Sequence, residues 1–219
     1  MNREPIFNIP EKAPLWLIGI LIVIHLLVSY GPDTLRALLF GSAILVPFDT
    51  PETSAPRQAF SLIGHGFLHG GWTHLLMNAG MMLAFGVITL RGVKAFLYNR
   101  KNAGSANLIF LLIFLASVIG GGVAQWLWWG VSGIDNAFAV GASGGVSGLF
   151  ATAAWAMGGK HKMIQFGLGW LVINLAFIVA QPVLGVGIAW AAHLGGYLMG
   201  MLLAPRCVKA FSSGFNITR

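Results

Sequence analysis

Charge is what this chain has least of. Lys, Arg, Asp and Glu make up 9% of its 219 residues, against roughly 25% in a soluble domain. So few charges cannot cover a soluble surface, which excludes soluble enzymes and soluble binding modules and implies an integral membrane protein. Acidic residues are scarcest, 6 against 13 basic ones, for a net charge of +7. In a soluble protein that balance would suggest a nucleic-acid partner. Here the basic residues gather at the ends of apolar runs, so the positive-inside rule accounts for them and no nucleic acid is expected. Cysteine is nearly absent: Cys207 alone follows the last apolar run, so no internal disulfide can form and the thiol is expected to be inert. Ionisable Asp, Glu, Lys and Arg are missing from the depths of the apolar runs. That argues against ion pumps and proton-coupled transporters, which need a buried ionisable relay. It also leaves no Ser-His-Asp triad within a bilayer. Glu4, Pro5, Glu11 and Pro14 precede the first apolar run, with no small-residue cleavage site after it, a pattern unlike a cleavable signal peptide. No internal repeat or low-complexity segment is evident.

What is abundant is apolar sequence: 57% hydrophobic residues and a mean hydropathy of +0.79. A spanning helix needs about 20 mostly apolar residues. Segments near 14–30, 72–90, 107–129, 143–157, 163–180 and 187–203 meet or approach this, and predict an all-α bundle of six spans in a single domain over 1–219. A long connection, 31–71, separates the first two. Its apolar patches (Leu35 to Phe40, Ile44 to Phe48) are broken by Pro47, Pro51 and Pro56 and are too short to span, so they read as short amphipathic or re-entrant pieces at the interface. A connection this long is more often functional than idle. In a six-span frame Arg3, Lys12, the 91–101 cluster, Lys160, Lys162, Arg206, Lys209 and Arg219 fall on one side, and Arg36 and Arg57 on the other. Both termini are therefore expected in the cytoplasm, with the 31–71 connection and the start of the fourth span on the outer side.

Polar side chains inside apolar spans are costly and are candidates for function. Ser143 and Ser147 lie in the fourth span, His193 in the sixth, and His74 and Asn78 in the second, with Ser117, Gln125, Thr152 and Asn174 as lesser members. Ser143 sits between glycines at a helix start, where unpaired N–H groups could hold an oxyanion. The same Gly-Ala-Ser-Gly run also reads as a small-residue packing face. His193, flanked by Ala191, Ala192, Gly195 and Gly196, could take a serine proton; it also reads as a core histidine bonded to a carbonyl. His74 and Asn78 are four apart and share a helix face, as donors beside Ser143 would require. His65, His69 and His74 crowd together, but no carboxylate or cysteine lies in register and the H-E-x-x-H signature is absent, so no metal is expected. Gly141 to Gly145 also fits the Gly-x-Ser-x-Gly of soluble lipases, which the hydropathy excludes.

These residues resemble the rhomboid family of intramembrane serine proteases. The resemblance rests on His69-x4-His74-x3-Asn78, Gly141-Ala142-Ser143-Gly144, Ala192-His193-x2-Gly196 and the long first connection, in the family's order, over about 31–203. It implies a short central fourth span whose serine end lies in a water-filled cavity below the outer surface. It implies Ser143 as nucleophile, His193 as general base and an oxyanion site made of the Ser143 N–H, His74 and Asn78. His69 would help to arrange the outer loop, and Gly141, Gly144 and Gly196 would support the site. The implied partner is a membrane-protein substrate, cut in its transmembrane segment without metal or cofactor, in what resembles a bacterial inner-membrane enzyme. Gln181 to Val186, with Pro182 and Gly185, would cap the cavity. Two positions depart from the family pattern. Phe60-Ser61 stands where Trp-Arg is frequent, so the loop's anchoring must differ. Ser147 stands where an aromatic ring often stacks on the base, which leaves open what orients His193, another ring included. Ser147 also repeats Gly-x-Ser-Gly one turn down; Ser143 is preferred as nucleophile because it is nearer the free N–H groups. A channel or transporter, and an inactive rhomboid-like binder, are the alternative readings.

Overall fold

The computed structural model describes residues 11–51, 53–97, 105–184 and 187–212. Among these the chain forms seven α-helices: α1 (Lys12–Tyr30), α2 (Asp33–Ala43), α3 (Ala55–Gly64), α4 (Trp72–Leu97), α5 (Ala106–Ser132), α6 (Ser143–Leu184) and α7 (Trp190–Ser212), with a 3-10 turn at His65–Phe67. The only strand-like pairing among the described residues is an isolated antiparallel bridge between Leu45 and Ala139. Four segments are long and apolar enough to cross a membrane: Lys12–Tyr30, Trp72–Leu97, Ala106–Ser132 and Ser143–Gln181. The chain is a multi-pass membrane protein.

The expected break between 143–157 and 163–180 falls at a kink inside α6 rather than at a loop. The chain stays helical through α6 and departs from helical dihedrals only at Gly158 (φ −175°, ψ 32°) and Gly159 (φ 64°, ψ −154°). Only glycine adopts the Gly159 geometry readily, so two adjacent glycines turn one long apolar helix into two rods with no loop between them. The last helix also differs from its expected 187–203 limits. α7 starts at Trp190 and runs past Pro205 to Ser212. Pro205 lies inside α7 and removes one backbone bond, yet the helix continues beyond it. In the 31–71 connection the patch at Leu35 to Phe40 is helical, in α2. The second patch is extended, with Leu45 paired to Ala139 by two backbone bonds of 3.2 and 2.9 Å. Pro56 lies in the first turn of α3, where a missing N–H costs nothing.

The core gathers around α5. Ile109, Phe110, Ile113, Phe114 and Val118 are fully buried against Leu21 of α1, Leu75, Met82 and Leu90 of α4, and Val146 and Leu149 of α6. Between apolar helices in lipid the hydrophobic effect gives little drive, and close backbone packing takes its place. Glycines supply that closeness at the α6–α7 contact. A Cβ added at Gly196 would lie 2.0 Å from the Gly144 carbonyl oxygen, and one at Gly200 would lie 2.3 Å from that of Gly148. An ion pair between a buried Glu11 and a partly exposed Lys94 joins the start of α1 to the end of α4, Nζ to Oε2 at 2.7 Å.

Candidate active site

Ser143 opens α6, and the approach to it is fixed residue by residue. Gly141 holds φ +127°, and a Cβ there would come within 2.7 Å of the His74 ring. Its N–H donates to the His65 carbonyl at 2.8 Å. The next N–H, from Ala142, points to His69 Nε2 at 3.5 Å. The first helical bond of α6 runs from Val146 N–H to the Ala142 carbonyl. The N–H groups of Ser143, Gly144 and Gly145 therefore precede the hydrogen-bond ladder and carry the positive end of the helix dipole.

The loop histidines that hold this approach are neutral. Burial pushes His65 down to about 4, against a weaker upward pull from the Ser61 carbonyl, which accepts from its Nδ1 at 2.7 Å. Burial, then the nearby His74 and His25, pushes His69 down to about 3. Only a neutral ring can accept at Nε2, as the Ala142 contact requires. The anchoring at Phe60-Ser61 is now visible. Ser61 is fully buried and its backbone holds His65, while Phe60 is 54% exposed. Gln58 Nε2 ties the same helix to the Phe48 carbonyl at 2.5 Å, and Arg57 Nε ties it to the Gly41 carbonyl at 2.9 Å.

His193 reaches Ser143 from α7 because the Gly144–Gly196 contact removes any side chain between the two helices. Its Nε2 lies 2.9 Å from Ser143 Oγ. Its Nδ1 lies 2.8 Å from Asn174 Oδ1, on the second rod of α6. Asn174 Nδ2 in turn donates to the Trp170 carbonyl at 2.8 Å, and the Trp170 ring sits 6.0 Å from the His193 ring at a 37° tilt. Immediately before His193, the Ala192 N–H donates to Gln125 Oε1 at 3.3 Å. The second serine is occupied elsewhere: Ser147, 1% exposed, donates its hydroxyl to the Ser143 carbonyl at 2.7 Å.

His74 and Asn78 present one face of α4 to the Gly141 segment. Asn78 Nδ2 would stand 3.8 Å from a Cβ at Gly141. It donates one hydrogen to the His74 carbonyl at 3.1 Å and keeps a second to give. The His74 ring meets His69 edge-on, centroids 5.1 Å apart. His65, His69 and His74 thus face different partners rather than one point. The cap expected over Gln181 to Val186 falls partly on residues 185 and 186, outside the described residues.

The family model described as "Rhomboid domain" matches residues 56–210. The chain belongs to the rhomboid family. Relatives include an uncharacterized protein of Mycobacterium tuberculosis, Rv1337, 27% identical over 209 residues, 88% of this chain and 77% of that one. RHOMBOID-like protein 4 of Arabidopsis thaliana is 29% identical over 184 residues, 79% of this chain but 39% of the plant protein. The Bacillus subtilis protein named "Putative rhomboid protease YdcA" is 30% identical over 156 residues, 71% of this chain and 70% of that one. Within this rhomboid chain, sequence reasoning noted Asn174 only as a lesser polar residue and passed over Trp170. Their spacing of four residues on one helix face was the available signal. It also passed over His25, a buried α1 histidine whose ring meets Trp72 edge-on at 4.7 Å.

Proposed function

We propose that this rhomboid is an intramembrane serine endopeptidase that cleaves transmembrane segments near the outer membrane surface. The observation that carries the reading is the 2.9 Å contact of Ser143 Oγ with His193 Nε2 at the start of a helix. Ser143 is the nucleophile and His193 the general base. As Oγ attacks the scissile carbonyl, its proton passes to Nε2, and the carbonyl oxygen takes the negative charge. That charge is met by the Ser143 N–H, the free amide hydrogen of Asn78 and the His74 ring. Pre-aimed donors of this kind are worth about 3–4 kcal/mol of barrier each. The imidazolium then protonates the leaving amine, the acyl-enzyme forms, and water from the outer side repeats the sequence in reverse.

The frame for this chemistry is six spans, with α6 crossing twice around Gly158-Gly159 and α7 as the last. Both termini lie in the cytoplasm of a bacterial inner membrane, and the 31–71 connection lies at the outer face. The bridge of Leu45 to Ala139 supports that placement, since it seats the connection on the segment leading into Ser143. A substrate segment enters past the second rod of α6, whose Val172, Val179 and Val183 are exposed. Treatment of the purified protein with a serine-directed fluorophosphonate tests the reading. Wild type labels, whereas Ser143→Ala and His193→Ala do not; labelling that persists in Ser143→Ala overturns it.

A further inference from the structure

The second nitrogen of His193 has a partner that the serine–histidine reading does not use. His193 Nδ1 lies 2.8 Å from Asn174 Oδ1, and Asn174 is 2% exposed. The amide is not free to turn round. Its Nδ2 donates to the Trp170 carbonyl at 2.8 Å, and reversing the amide would set two oxygens against each other there. Oδ1 therefore faces His193, and an oxygen can only accept. His193 must carry its proton on Nδ1, which leaves the Nε2 lone pair facing Ser143 Oγ.

We infer that Asn174 is the positioning residue of the site: it holds His193 in the Nδ1–H tautomer and in the ring orientation that general-base action on Ser143 needs. The inference rests on the proposed protease chemistry. The wrong tautomer would present an Nε2–H to a hydroxyl whose proton has to leave, and the step would stop. The neutral amide also suits the setting. A carboxylate at this depth would be a buried charge in an apolar bundle, whereas an amide gives direction at lower cost. Trp170 and Asn174, four residues apart, act as one unit: the first fixes the amide through its carbonyl and lays its ring beside the imidazole, 6.0 Å away. Together they fill the orienting role left open by Ser147, and they do so from the rod beyond the Gly158-Gly159 kink. The base is thus set by the relative position of the two α6 rods as well as by α7.

The test compares fluorophosphonate labelling rates of wild type, Asn174→Leu and Asn174→Asp in detergent, with thermal midpoints measured alongside, and reads His193 by ¹⁵N NMR in the wild type. The wild type shows a protonated Nδ1 and an unprotonated Nε2. Asn174→Leu, similar in volume but without an acceptor, labels about 10- to 100-fold more slowly, the range found for hydrogen-bond partners that orient a metal-ligating imidazole. Asn174→Asp, whose buried carboxyl stays protonated to donate to the Trp170 carbonyl while its other oxygen accepts from Nδ1, recovers most of the rate. An Nε2-protonated wild type overturns the inference, even if the Leu variant does not fold. So does an Asn174→Leu protein that labels at the wild-type rate, or a failure of Asn174→Asp to outperform it at equal thermal midpoint. These results differ from failure of the protease reading itself, in which the wild type does not label at Ser143 at all.

Discussion

At the scale of single residues the site depends on positions where no side chain fits. Gly196 faces the Gly144 carbonyl so closely that one methyl group would overlap it. Gly196→Ala therefore pushes α7 away from α6, costs about 1–3 kcal/mol or more as an overpacked contact, and lengthens the Ser143–His193 contact. The expected result is a lowered thermal midpoint together with labelling reduced more than stability alone explains; an unchanged rate contradicts it. The two serines separate in the same way. Ser147 has its hydroxyl on the Ser143 carbonyl, so Ser147→Ala loses one buried hydrogen bond, about 1 kcal/mol, and keeps measurable cleavage, while Ser143→Ala abolishes it. The candidates Ser143 and His193, which the fold brings to 2.9 Å, were legible because hydroxyl and imidazole groups stand out in apolar sequence. The Asn174–His193 contact was not legible, because it joins residues 19 apart across a helix-to-helix approach that no local pattern encodes.

At the scale of elements, the connection from α2 to α4 is held by neutral histidines. His65 is pushed down to about 4 by burial, and His69 to about 3 by burial and by His74 and His25. Above the ordinary histidine value of about 6.5 both rings are neutral whether the connection is docked or released, and its stability is fully present. Below that value the released connection takes up protons that the docked one refuses, so docking weakens as pH falls from about 6.5 towards 4. Protection factors at residues 44–69, taken against the intrinsic exchange rate at each pH, should therefore fall over that range, with the long helices still protected. Protection independent of pH from 7 to 4.5 contradicts this. Helix existence was readable from apolar length. The position of the α6 break was readable as well, but not its form, because Lys160 and Lys162 suggested a polar loop where two glycines suffice, and Pro205 suggested an end where α7 continues.

At the scale of the whole molecule, sparse charge and long apolar helices give a bundle whose outer surface is apolar as well. Trp16, Leu127, Val131, Val179 and Val183 are all more than 60% exposed, a surface that soluble monomers rarely carry and that lipid covers without cost. Membership of the rhomboid family agrees with that class, and the match over residues 56–210 takes in every side chain proposed for the chemistry. On the proposed function, this bundle cuts a peptide bond inside a membrane through Ser143. The direct measurement reconstitutes wild type and Ser143→Ala in liposomes with a single-span reporter protein and determines the product masses. Wild type yields two fragments, divided at one bond near the outer end of the reporter's span, and Ser143→Ala yields none. An intact reporter with wild type, or the same fragments with Ser143→Ala, contradicts it.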